Sequence, residues 1–331
     1  MRKLDIIVPM HNSSAFVVPL LESFNEQTCY DFRLIMVDDG SVDNTCELIE
    51  KNQKRLKYEV LLIRQENKGV GAARNKGFSF CTNEIVSYFD SDDFPETDYV
   101  ETILESFSRE SDIDSLIFSI NTKKEGTDLR KPQSTGLSNG VYSSDELLHS
   151  FFEGRLHLYV FSIAIKRSLI KEHGASCPEG YANLEDVNYC YQLLSISKNI
   201  RLLNHSIYNY VIRLSSATSK YNVFNDWKKS VDVMRKLECF FEKECPEFYD
   251  YYKSFGIPKI VWTITWQSVK LAKSYKAFRL FTSEISSKKA MMVMKRFPTK
   301  RVSLSSKLFL FSPFLYYVAI SLLGKNKNRS N

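Results

Sequence analysis

The sequence holds only five His among 331 residues, and its seven Cys, at positions 29, 46, 81, 177, 190, 239 and 245, include no Cys-x-x-Cys pair. That excludes the ligand spacing of a structural zinc site. An odd cysteine count without a recognisable signal peptide points to reduced thiols in a cytoplasm. A third absence concerns glycine. Lys68-Gly69-Val70-Gly71-Ala72-Ala73 begins like a dinucleotide-binding turn, but it lacks the third Gly and follows a third strand rather than a first, which excludes a nicotinamide enzyme. The Gly and distal Glu of a calcium loop are missing after Asp90. No apolar run reaches the roughly 20 residues of a spanning helix. Acidic residues vanish from Lys288 onward, where ten Lys and Arg stand alone, so the remaining chain carries 35 basic against 39 acidic side chains. The net charge of +6 is thus a tail property, which speaks against nucleic acid as a partner and for an anionic membrane surface near the tail.

What is present is an ordinary globular composition, 44% hydrophobic and 25% charged. Strand and helix signals alternate: Leu4–Val8, a helix over 13–27, Phe32–Val37, a helix after Asp43, Tyr58–Ile63, a helix from Val70, and Glu84–Phe89. Such alternation calls for a parallel sheet with helices on both faces and a ligand at the carboxyl ends of its strands. Val100, Ile103, Leu104 and Phe107 mark an amphipathic helix, 116–120 a strand, 123–140 an exposed polar loop, 144–152 a helix and 159–165 another strand. Beyond about 223 the pattern is all-helical.

Three polar clusters fall at one edge of the expected sheet: Pro9-Met10-His11-Asn12, Asp38-Asp39-Gly40-Ser41 and Asp90-Ser91-Asp92-Asp93. Any one alone is compatible with a turn or helix cap. Together they make a shared site, with carboxylates suited to Mg²⁺ or Mn²⁺ completed by water and substrate phosphates. Glu185-Asp186 opens a later helix, where acidic residues also serve simple capping.

Read in order with Asn67-Lys68-Gly69, Ala73-Arg74-Asn75 and Glu185-Asp186, these motifs resemble the family 2 inverting glycosyltransferases of GT-A fold, in particular bacterial enzymes of capsule, exopolysaccharide or wall glycan synthesis. The resemblance covers about residues 1–217. It implies an α/β mixed sheet flanked by helices, with a nucleotide-sugar-binding half (1–115) and an acceptor half (116–217), followed by a helical region (218–331) whose basic, apolar tail from about 288 associates with membrane. It implies a nucleotide-sugar donor, usually a UDP-sugar, with Pro9, Asn12, Asp39, Arg74, Asp90 and Ser91 around it. Asp90 and Asp92 match the metal-binding Asp-x-Asp motif, for Mn²⁺ or Mg²⁺, and Asp186 the catalytic base. His11, Asp38, Asp93, Glu185 and Arg213 are further candidates, the last within a Tyr208-x-Tyr210-x-x-Arg213-x-x-Ser216 segment. The stretch Val160–Ser168 departs from the Trp-Asn-Lys and Arg-Arg-Ser residues of many relatives, so no acceptor contact is carried over there. The expected partner is a glycan or lipid-linked oligosaccharide acceptor, the expected location the inner face of the plasma membrane, and a homo-oligomer is compatible with the sequence. A catalytically silent nucleotide-sugar-binding scaffold is the alternative.

Apolar residues 308–323 run nearly unbroken except for Ser312-Pro313 and Ser321, with Lys300, Arg301 and Lys307 before and Lys325, Lys327 and Arg329 after. The run is too short to span and is flanked by cations on both sides, as an interfacial segment would be.

Overall fold

The structure, a computed structural model, describes residues 4–110, 112–213 and 223–327. It divides into two compact units, Met1–Ser219 and Lys220–Asn331.

In the first unit the chain runs β1 (Leu4–Met10), α1 (Val17–Asn25), β2 (Phe32–Asp39), α2 (Thr45–Asn52), β3 (Glu59–Gln65), α3 (Val70–Ser79), β4 (Ile85–Tyr88), β5 (Phe94–Pro95), α4 (Tyr99–Arg109), β6 (Ser115–Lys124), β7 (Arg130–Gln133), β8 (Gly140–Ser143), α5 (Ser144–Glu153), β9 (Ile163–Lys166), α6 (Arg167–His173), α7 (Glu185–Ser195) and β10 (Asn199–Ile212). The main sheet path is β3-β2-β1-β4-β9-β6-β10-β5, with β7 on β6 and β8 on β10. Strands β1 to β4 are parallel, β1 registering Leu4 with Phe32 and Met10 with Asp38 of β2. Beyond β4 the sheet is mixed, because β9 runs antiparallel to both β4 and β6.

The first strands read as continuous apolar runs because both faces are covered. Ile6, Val8, Leu34 and Met36 pack with Val17, Leu20 and Phe24 of α1 and Tyr99, Val100 and Ile103 of α4. On the opposite face α3 lies so close that a Cβ at Gly77 would stand 2.5 Å from Ile7.

Three expectations need correction. Residues 123–140 are not one open loop: β7 pairs antiparallel with β6, Ile120 opposite Gln133. Its side chains are polar and mostly exposed, so no alternation announces the strand. The stretch 159–165 is not strand throughout, since 160–162 form a 3₁₀ turn held by Ser162, whose Oγ donates to the Tyr159 carbonyl at 2.8 Å and accepts the Tyr159 N–H at 3.1 Å. Helix α1 also starts later than 13, after a turn in which the Ser13 carbonyl accepts the N–H groups of Phe16 and Val17.

The second unit is helical: α8 (Val223–Glu244), α9 (Pro246–Leu271), α10 (Tyr275–Glu284), α11 (Ser287–Met294), α12 (Lys300–Phe311) and α13 (Pro313–Lys327). Val231, Val261, Ile264, Phe281, Ile285 and Ala290 form one core cluster. Pro313 opens α13, where its missing N–H leaves no helical bond unmade. The apolar tail is therefore two helices with an inner and an outer face. Phe309 and Tyr316 are buried, their rings 5.2 Å apart, and the Trp262 indole N–H donates to Ser305 Oγ at 2.9 Å. Among the described residues no helix is long and apolar enough to cross a membrane.

Candidate active site

The carboxyl ends of β1, β2 and β3 are tied to one another by their own loops. After β1, His11 Nδ1 lies 2.9 Å from the Asp39 carbonyl, which can only accept, so this nitrogen carries the proton. Asn12 takes the left-handed conformation (φ 52°), its N–H donating to Ser41 Oγ at 2.8 Å and its side-chain carbonyl accepting the Val42 N–H at 3.0 Å. Asp39 is buried and accepts the N–H groups of Lys68 and Gly69, both at 2.8 Å, and the Gln65 amide at 2.8 Å. It fixes the Asn67–Gly69 turn after β3 at the same edge. Gly40 permits this closure, since its φ is +74° and a Cβ there would meet the Asn67 nitrogen at 2.8 Å. Asp38 is buried and accepts the Ser41 N–H at 3.2 Å, which shapes the turn; Pro9 is buried at the end of β1.

The acidic loop after β4 splits its carboxylates by direction. Asp93 points inward, accepting the Tyr208 hydroxyl at 2.6 Å and the Val211 N–H at 2.7 Å. Burial raises its pKa well above the carboxylate range. Tyr208 also receives the Asp90 N–H at 3.3 Å and stacks on Phe161, so β10 braces the loop. Asp90 and Asp92 keep partly exposed side chains, and Ser91 Oγ reaches Ser13 Oγ at 3.0 Å. Arg213 holds Asp92, Nη1 to Oδ2 at 2.8 Å, while its guanidinium lies 4.6 Å over the Phe16 ring.

Arg74, on α3, is buried between the acidic loop and α7. Its Nη2 is 3.4 Å from Asp90 Oδ1 and its Nη1 3.9 Å from Glu185 Oε1, yet among the described residues Nε and Nη1 find no hydrogen-bond partner, nor does Glu185 Oε2. Burial pushes the Glu185 carboxyl up to about 7, and the neighbouring charge of Asp186 adds to this. Asp90 is raised too, by burial first and by Asp92 and Asp186, against the pull of Arg74. Asp186 stands beside Glu185 in the first turn of α7, its Oδ1 accepting the Val187 N–H at 2.7 Å. The turn into α7 passes through Leu184 at φ 61°, a conformation costing about 1–3 kcal/mol that the surroundings must enforce.

One part of that enforcement was not assigned from sequence. Asn75 behaves like a strand backbone toward residue 177, its amide donating to the Cys177 carbonyl and accepting the Cys177 N–H, each at 2.8 Å. Gly71 lets this segment approach, for a Cβ there would stand 2.4 Å from the Pro178 carbonyl oxygen. Gly71 and Asn75 flank Arg74 in the motif, so the only signal was their place beside it. Deeper in, the Tyr88 and Tyr189 hydroxyls meet at 2.5 Å and join β4 to α7.

A divalent ion such as Mg²⁺ requires hard oxygen ligands. Among the described residues no group of three or more His, Cys, Asp or Glu is placed to enclose a metal. Asp90 and Asp92 offer two hard ligands with an excess of negative charge, the arrangement of an ion whose shell is completed by substrate phosphates and water.

Residues 5–174 match the profile of glycosyl transferase family 2. The chain is 27% identical over 220 residues to the glycosyltransferase EpsH of Bacillus subtilis, covering 66% of this chain and 63% of EpsH, so it spans less than two thirds of that relative. It is 26% identical over 299 residues to the cholesterol galactosyltransferase of Borreliella burgdorferi, covering 84% of this chain and 80% of that one. Its fold is shared by S. aureus TarS 1-349 in complex with UDP-GlcNAc, with a TM-score of 0.68 at 18% identity over 98% of this chain and 92% of that one. With a mixed sheet whose parallel strands end in the motif loops, and a family profile that runs from β1 past α6, the chain belongs to glycosyl transferase family 2.

Proposed function

We propose that this glycosyltransferase is an inverting enzyme that moves a sugar from a UDP-sugar to a hydroxyl of a lipid-linked glycan intermediate in capsule, exopolysaccharide or wall polysaccharide synthesis. The observation that carries the reading is the buried guanidinium of Arg74, set between Asp90 and Glu185 with two nitrogens that have no hydrogen-bond partner among the described residues. Buried donors left unpaired are costly, and a bound diphosphate or sugar hydroxyl satisfies them.

In this reading the rim of His11, Asn12 and Asp39 receives the nucleoside, and Arg74 and Ser91 face the diphosphate. Asp186 takes the proton of the acceptor hydroxyl as that oxygen bonds to C1; the bond from C1 to the diphosphate oxygen breaks on the opposite face, and the configuration inverts. General-base help of this kind is worth about 10²–10⁴-fold. Asp90 and Asp92 would hold Mn²⁺ or Mg²⁺, which supplies charge neutralisation to the leaving diphosphate. Arg213, paired with Asp92, occupies a position from which it shares that carboxylate with the cation. Glu185 positions Arg74.

The basic tail supports a place on the inner face of the plasma membrane, and the relative that bears the name cholesterol galactosyltransferase supports a lipid acceptor. The test is release of UDP from a panel of UDP-sugars with Mn²⁺ and candidate acceptors, by wild type and by Asp186→Asn. Turnover lost in the variant with donor binding kept supports the reading; binding without turnover by the wild type across the panel overturns it in favour of a scaffold.

A further inference from the structure

The second unit contains a cavity of about 310 Å³ that the transfer reaction does not use, lined by Arg279, Thr282 and Ser283 of α10, Lys288 of α11, and Phe309 and Pro313 at the α12–α13 bend. One wall thus brings two cations and the Ser283 hydroxyl together, donors suited to a phosphate, while the Thr282 hydroxyl donates to the Arg279 carbonyl at 3.2 Å, and the other wall is apolar. Arg279 and Lys288 are exposed and have no ion pair among the described residues. Nearby acid is scarce: from residue 251 to the end there are 16 Lys and Arg and a single carboxylate, Glu284, whose Oε1 faces the Trp227 indole nitrogen at 3.4 Å.

Beside the cavity lies an apolar ridge. On α12 the outward stripe is Lys300, Leu304, Lys307 and Phe311, at helical spacing, with Leu304 62% and Phe311 81% exposed. On α13 Phe314, Val318 and Leu322 are exposed as well, while Tyr316 and Ile320 turn into the core. Apolar side chains of this size interleaved with lysines are the pattern of a surface that enters the headgroup layer of an anionic membrane. A free phosphate compound would fill the cavity and leave the ridge in water. A lipid satisfies both.

We infer that the cavity between α10, α11 and the α12–α13 bend receives the phosphate of an anionic membrane lipid while the ridge beside it inserts among the acyl chains. The inference deepens the proposed surface association and rests on it. It is tested with the full-length protein on phosphatidylcholine vesicles containing either phosphatidylglycerol or, at equal surface charge, oleate. Three double variants are compared: Phe311→Ser with Leu322→Ser on the ridge, Arg279→Gln with Lys288→Gln in the cavity, and Lys325→Gln with Lys327→Gln as a charge-matched control. The wild type is expected to prefer phosphatidylglycerol. The ridge variant should lose vesicle binding by tenfold or more on both lipids, and the cavity variant should lose the preference for phosphatidylglycerol, falling roughly fivefold per cation removed. Transfer to a soluble acceptor should stay unchanged in all three, which separates this test from that of the chemistry. Equal losses in the cavity and control variants, or no preference in the wild type, overturn the headgroup site alone. Wild type that ignores every vesicle overturns the surface association with it, as does a ridge that proves to join two copies in solution, read as a dimer that the ridge variant dissolves.

Discussion

In the first unit the carboxylates Asp90 and Glu185 stand at a strand end and a helix start on either side of one buried arginine, whereas in the second, from residue 251 on, the sequence sets a single carboxylate among 16 Lys and Arg. The contrast is one of dielectric as much as of sign. Charges gathered where water is excluded interact strongly and depend on each partner's position, while exposed charges are screened and act by their number. Single substitutions should therefore be severe in the first unit and graded in the second.

The sharpest test of that contrast is Asp186→Asn. It keeps shape and removes proton acceptance, so turnover should fall by about 10²-fold or more with donor affinity and vesicle binding nearly unchanged. Steady-state UDP release and calorimetry with the UDP-sugar check it. Equal turnover in variant and wild type removes Asp186 from the base role and leaves it a helix-terminal residue.

Next in size come two substitutions of opposite sign at one ion pair. Asp92→Ala should weaken Mn²⁺ binding by about tenfold or more, since it deletes a ligand. Arg213→Ala should tighten Mn²⁺ binding in the absence of nucleotide by roughly fivefold, because the guanidinium 2.8 Å from Asp92 competes for the same carboxylate. Titration of free Mn²⁺ by electron paramagnetic resonance reads both. If both weaken the metal, Arg213 supports the site instead of competing with it.

The comparison also shows where sequence speaks. Strands β1, β2 and β4 were legible because burial on both faces writes apolar runs, β3 because residues 60–63 are apolar, and the site motifs because they sit where those runs stop. The polar strand β7 was hidden by its exposure, and β10 by its register shifts between Leu203 and Ser206 and again before Tyr208, which spoil alternation. Asp93 looked like its neighbours Asp90 and Asp92; only the backbone turn decides that it faces Tyr208. In the tail, Ser305 and Ser306 occupy buried helix positions, so hydropathy alone did not reveal that α12 belongs to the core. Deleting 303–331 would thus remove core residues along with the ridge, and outward substitutions are the cleaner probe of the surface.

A third substitution asks whether the bracing of the acidic loop is structural. Tyr208→Phe removes the hydroxyl that joins Asp93 to the Asp90 N–H and should cost about 1–2 kcal/mol of stability, with a smaller loss of turnover. Chemical denaturation followed by tryptophan and tyrosine fluorescence measures it. Unchanged stability with a large loss of turnover would mean that Tyr208 belongs to the chemistry.

The smallest expected effect depends on pH. Glu185 is pushed from 4.5 to about 7, burial being the first cause, so between those values the folded chain holds a proton that the unfolded chain has released. Stability from this group is therefore lost as pH rises from about 4.5 through 7, and the loss is complete above 7. Glu185→Gln cannot ionise and so escapes that loss, a balance in which the attraction to Arg74, 3.9 Å away, is already counted. The melting temperature of the variant should match wild type at pH 5 and exceed it at pH 8, while turnover falls because Arg74 has lost the carboxylate that positions it. A difference that stays constant across pH would show that Glu185 does not titrate in this window.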